Sequence, residues 1–225
     1  MSPPGAVARA WLVAQRELRS DARHPDGPVA AMTFMAALVL LESLVIGPQV
    51  ARDTLVAPAL FWIALLFAAI VVTTRSFDRE LEDDALDGVL ALPGGSDALY
   101  AGKLVALALA LLVVAAIGGI LEVALLDLPL ALPGHVVIAV VLGTIALPAV
   151  VVLDVAVTVR LRARAVLVPI LALPVLVPQL VAGTNAVAGA LSGDDVASLA
   201  WSGLLIAIAL VYATAGLTIG GTAIE

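Results

Sequence analysis

The chain has 225 residues, of which 63% are hydrophobic and 13% charged, and its mean hydropathy is +1.16. Soluble domains carry about a quarter charged residues, so an ordinary soluble fold is excluded, and the length leaves room for one membrane domain. The net charge is −7, no face is basic and there is no cysteine, which excludes a nucleic-acid binder, disulfides and thiolate metal sites.

Residues 1–28 are polar enough to stay out of the bilayer. Val7, Trp11, Ala14 and Leu18 line one helical face, with Arg9, Arg16, Arg19 and Arg23 mostly elsewhere. That pattern predicts an amphipathic N-terminal helix lying in the interface, the alternative being a disordered leader. Pro25 and Pro28 turn the chain into the membrane. The remainder, 29–225, reads as one membrane domain. Its six apolar runs are about Val29–Ile46, Leu55–Thr74, Leu104–Leu126, Val136–Val159, Ala165–Val187 and Ala197–Ile219. They are apolar on every face, whereas barrel strands alternate, so the fold class is an all-α polytopic membrane protein.

Between the second and third runs lies an acidic island, Arg75–Lys103, holding Asp78, Glu80, Glu82, Asp83, Asp84, Asp87 and Asp97. Within it Phe77, Leu81, Ala85 and Val89 recur every fourth residue, followed by Leu92. The spacing predicts an amphipathic helix over about 77–92, stopped by Pro93-Gly94-Gly95. Such a helix suits contact with a soluble partner; the plain alternative is a solvated linker.

Ten of the eleven Lys and Arg residues fall on the side that carries the N-terminus and the island; Arg52 is the exception. The positive-inside rule then places both termini and the island in the cytoplasm. Glu42, Glu122 and Asp154 interrupt apolar runs, where a charge near the bilayer centre costs about 3 kcal/mol on insertion scales. The first two lie near the outer helix ends and are expected to reach the interface. Asp154 sits deeper, with either a polar neighbour or a proton to balance it. The fifth run contains Pro169, Pro174 and Pro178, followed by Gln179, a pattern seen where membrane helices bend. His24 and His135 fall in loops on opposite sides, so they cannot jointly hold a metal within one subunit. No G-x-x-x-x-G-K-[ST] phosphate loop is present. A secondary transporter would need midplane carboxylates and an internal repeat, and an intramembrane protease a serine–histidine setting or two facing aspartates. Of these, only Asp154 stands in the sequence.

The island text, RSFDRELEDDALDGVLALP followed by DALYAGKL, resembles the signature region of the haem exporter protein B family (CcmB). The similarity continues through LGTIALPAVVVLDVAVTVRLRARAVLVPILALPVLVPQLVAGTNA, where the family also has a glycine-threonine start, a short basic loop and a proline-rich fifth span. It covers nearly the whole chain. The family places an acidic residue shortly after an Asp-Gly or Glu-Asp-Gly group. Here Asp84-Ala85-Leu86-Asp87-Gly88 keeps the charge character without the one-to-one match. The resemblance implies a six-helix permease of the ABC-2 kind in the bacterial inner membrane, without catalytic residues of its own. Its expected partners are an ABC ATPase of the cytochrome c maturation system, which would bind the ATP, and haem-handling membrane subunits. Haem is implied as a substrate of the complex rather than a cofactor held by this chain. ABC-2 export of another substrate, or less readily ion-coupled transport, is the alternative. Six helices are few to enclose a path alone, so a homodimer is expected. Phe77, Leu81, Glu82, Asp83, Ala85, Asp87, Gly88 and Val89 are the expected residues of the ATPase-coupling helix.

Overall fold

The structure is a computed structural model that describes residues 5–53, 55–82, 95–158 and 164–224. Among the described residues every regular element is a helix. They run α1 (Ala6–Arg23), α2 (Asp26–Val45), α3 (Gly47–Asp53), α4 (Val56–Glu82), α5 (Gly95–Leu126), α6 (Pro133–Thr158), α7 (Arg164–Ser192) and α8 (Asp195–Ile224). Six of these, α2 and α4 to α8, are long and apolar enough to cross a membrane, as expected.

Several boundaries differ from the hydropathy reading. The short helix α3 begins at Gly47, whose φ of +71° suits a residue without a side chain. The second span does not end at Thr74: α4 continues through Arg75–Glu82, a stretch with no proline or glycine to stop it. Likewise α5 begins at Gly95, nine residues before the apolar run at Leu104. Hydropathy marks where a helix is embedded and is silent about polar turns beyond. α2 starts at Asp26, so Pro28 sits in its first turn, where a missing N–H is no loss. His135 lies in the first turn of α6 rather than in a loop.

α4 is the centre of the bundle. In its apolar window 67% of residues are enclosed, against 22% for α2 and 17% for α8, which therefore stand at the periphery. Without water to drive helices together, membrane bundles rely on close packing at small residues. Here Trp62 of α4 is fully buried and lies over Gly143 of α6 and Gly183 of α7. A Cβ at either glycine would stand 2.2 Å or 2.5 Å from the indole, so no larger residue fits. Met35 of α2 fills the space over Gly118 of α5 in the same way, and the Tyr100 hydroxyl on α5 occupies that over Gly216 of α8. Gln179, fully buried on α7, donates from Nε2 to the Gly143 carbonyl at 3.0 Å. The helix α7 is continuous through its three prolines.

The α7–α8 hairpin is closed by local chemistry. Gly193 adopts φ +85°, the left-handed conformation common just past a helix end, and the Asp194 carboxylate accepts from the Ala197 N–H at 2.9 Å.

The N-terminal helix is more than a float. α1 packs along the beginning of α5, with Ala14 and Glu17 buried, while Val7 and Trp11 remain exposed as apolar groups for an interface. The approach is close at Gly102, where a Cβ would fall 2.5 Å from Val13 Cβ and 2.8 Å from the Ala10 carbonyl oxygen. Gly102→Ala should therefore push α1 outward at a cost of about 1–3 kcal/mol, the range for overpacking. Tryptic cleavage at Arg9 or Arg16 should speed up while the bundle stays folded; an unchanged cleavage rate would contradict this packing.

Candidate functional site on the island face and among the buried carboxylates

Where α4 and α5 meet the island, seven polar or aromatic side chains form one cluster. Lys103 of α5 is only 3% exposed. Its Nζ donates to Ser76 Oγ at 2.6 Å and to the Ser76 carbonyl at 3.3 Å, and it pairs with Glu17 Oε1 at 3.3 Å. Ser76 Oγ in turn donates to Glu17 Oε2 at 2.7 Å. The ammonium also lies 4.6 Å from the centroid of the Phe77 ring, a cation–π contact. One turn on, Arg79 donates to Ser20 Oγ at 3.0 Å and pairs with Asp21. The cluster thus ties α1 to both helices that flank the island. A buried lysine keeps its charge only with such partners, and here the acceptors are a carboxylate, a hydroxyl and a carbonyl.

The sequence pointed to Phe77 as a docking residue, and the structure corrects this. Its side chain is 1% exposed, enclosed by the protein's own helices. The four-residue spacing was read as one outward stripe, but the first residue of the stripe belongs to the end of α4 and faces the core. Leu81 and Glu82 form the last residues of that helix. Asp83, Ala85, Asp87, Gly88 and Val89 lie outside the described residues. Conversely, Lys103 and Glu17 are absent from the site residues expected from sequence. A signal existed: Lys103 immediately precedes a long apolar run, and Glu17 is an acid inside an arginine-rich amphipathic helix.

Glu42 and Glu122 also depart from expectation. Both are 5% exposed rather than reaching the interface. They stand on α2 and α5, which pack together, and are close enough to interact electrostatically. Nearby, the Ser43 hydroxyl makes a long 3.4 Å bond to the Leu125 carbonyl. The Oε1 atom of each glutamate is buried and lacks a hydrogen-bond partner among the described residues. Helix ends near the interface do not ensure exposure when a neighbouring helix covers the side chain. Asp154 is half-buried on α6; its Oδ2 is enclosed without a partner among the described residues, and its backbone carbonyl accepts from the Thr158 hydroxyl at 2.8 Å. Arg160 lies outside the described residues. Beside Gly143, Trp62 Nε1 and Gln179 Oε1 are likewise enclosed and unpaired, a donor and an acceptor in one region of the core.

Against this geometry, the family model described as CcmB protein matches residues 8–224. The chain belongs to the CcmB family. Members similar to it include heme exporter protein B of Paracoccus denitrificans, 31% identical over 184 residues, covering 80% of this chain and 83% of that protein. Heme exporter protein B of Pseudomonas aeruginosa is 28% identical over 204 residues, 88% of this chain and 90% of the relative. The Escherichia coli K12 protein of the same name is 31% identical over 96 residues, 43% of this chain. The family match takes in most of α1 as well as the six spans.

Proposed function

We propose that the chain is the membrane permease subunit of an ABC-type haem exporter serving cytochrome c maturation, in the bacterial inner membrane with both termini in the cytoplasm. The observation that carries this reading is the family match from residue 8 to 224 over a chain with six candidate spans. The sequence holds no phosphate loop, so ATP is hydrolysed by a separate cytoplasmic subunit. This chain contributes no catalytic residue and holds no cofactor; haem is what the assembly handles. Two copies pair around the path, each meeting one ATPase, with haem-handling membrane subunits beside them.

In this reading the island docks on the ATPase and the cluster below it carries the stroke into α1, α4 and α5. A few apolar anchors dominate such helix-in-groove contacts, while surrounding charges tune approach and partner choice. Because Phe77 is a core residue, the docking test falls on Leu81 and Val89. Replacing both with alanine should weaken ATPase association by about 1–3 kcal/mol per anchor and abolish maturation of c-type cytochromes. Charge reversal at Glu82, Asp83 or Asp87 should have a smaller, salt-dependent effect. Co-purification with the ATPase reads the first outcome and haem-stained cytochrome c the second. Unchanged binding and maturation in the Leu81→Ala, Val89→Ala variant would reduce the island to a linker.

The orientation is tested separately by reporter fusions. Those after Gly134 and Gly193 should read outside, and those after Gly94 and Arg162 inside. A cytoplasmic signal at Gly193 would overturn the placement of α7 and α8.

A further inference from the structure

A cavity of about 580 Å³ opens between α4, α5, α6 and α7 at the membrane face opposite the island. That is the size of a small-molecule site. It extends along α5 from Glu122 to Leu112, ten residues or about 15 Å at 1.5 Å per residue, toward the middle of the bilayer. Its wall is almost wholly apolar: Phe61, Ala116, Gly119, Val137 and Val140 are typical. The exception is Glu122, which lines the cavity, is 95% buried by its 5% exposure, and has a buried Oε1 without a hydrogen-bond partner. No Lys, Arg or His is among the lining residues.

We propose that this cavity is a binding site for a phospholipid with a primary-amine headgroup, its ammonium donating to Glu122 and one acyl chain descending along α5. The geometry favours this occupant. The polar end lies one turn from the end of α5, at headgroup depth, and the apolar end points to the bilayer centre, which is the direction of a lipid in the adjoining leaflet. The polar chemistry favours it too: Glu122 Oε1 lacks a hydrogen-bond partner among the described residues and no Lys, Arg or His lines the cavity, so the site offers an acceptor to an ammonium and no cation to an anionic head such as that of phosphatidylglycerol. The inference does not depend on the transport reading, since it rests on the cavity and Glu122 alone.

The test is lipid retention by the intact protein in nanodiscs of equal phosphatidylethanolamine and phosphatidylglycerol, read by native mass spectrometry. Retained phosphatidylethanolamine should exceed phosphatidylglycerol by about tenfold, the factor for one charge-assisted hydrogen bond. Glu122→Gln should bring the ratio close to one. Gly119→Leu, whose side chain would enter the cavity with only an ordinary 3.8 Å contact between its Cβ and Phe61, should remove the retained lipid of either kind. A third arm uses the protein with a photoreactive benzoylphenylalanine at Ile120, which lines the cavity and is 70% exposed. Its crosslinks should carry lipid mass. Equal retention of both lipids by the parent protein, an unchanged ratio in Glu122→Gln, or crosslinks to a second copy of the chain would each overturn the proposal.

Discussion

Trp62→Ala should be the most damaging single substitution in the bundle, with an expected loss of about 3–5 kcal/mol, the range for truncating a buried aromatic. The indole is fully enclosed and fills the space over two glycines on different helices, so its removal leaves a void that α6 and α7 cannot close without moving. In a membrane the loss is of contact between packed surfaces more than of water exclusion, because lipid is as apolar as the core. Thermal unfolding in detergent, followed by tryptophan-independent circular dichroism, measures it. Gly143→Leu approaches the same contact from the other side and should also destabilise strongly through overlap. A Trp62→Ala protein that melts with the parent would mean that this three-helix junction is not the organising contact.

Breaking the island-face cluster on one side only should come next. Lys103→Met leaves the Glu17 carboxylate buried, with its side chain 7% exposed and the half-exposed Arg16 still paired to it at 3.2 Å. Removing one member of a buried pair costs about 3–5 kcal/mol, and the Arg16 contact argues for the lower end. The double variant Glu17→Gln, Lys103→Met should lose less than the single one, because no uncompensated charge is left behind. A double-mutant cycle on unfolding free energy exposes that difference as coupling. Strict additivity would show that the lysine is held by something other than Glu17. The variant should also release α1, so that its arginines become susceptible to trypsin while the spans stay protected.

How far the sequence carried depended on which physical signal was asked. Membrane burial acts on every residue of a span, so the six apolar runs announced the all-α class. Helix ends were harder. Arg75–Glu82 and Gly95–Gly102 are polar turns of α4 and α5, and nothing in hydropathy separates a polar helical turn from a polar loop. Side-chain burial was least legible. Phe77 sits in a periodic stripe that suits an outward face, yet it is enclosed in the core with its ring against Lys103. Glu42 and Glu122 lie 80 positions apart, and only the pairing of α2 with α5 brings them together. The glycines that receive Trp62 and Met35 look like any small residues of a membrane helix until their neighbours are known.

The length of α4 and α5 has a mechanical consequence. With 27 and 32 residues they extend about 40 and 48 Å, well beyond a hydrocarbon slab of about 30 Å. The excess lies on the island side, as two rigid stalks standing in the headgroup layer, and α1 is strapped to them like an outrigger carrying Val7, Trp11 and several arginines. Any tilt of the stalks must drag that outrigger up or down through charged lipid. The energy of the tilt then includes a term set by the membrane itself, and bilayers richer in anionic lipid or different in thickness will load the same motion differently.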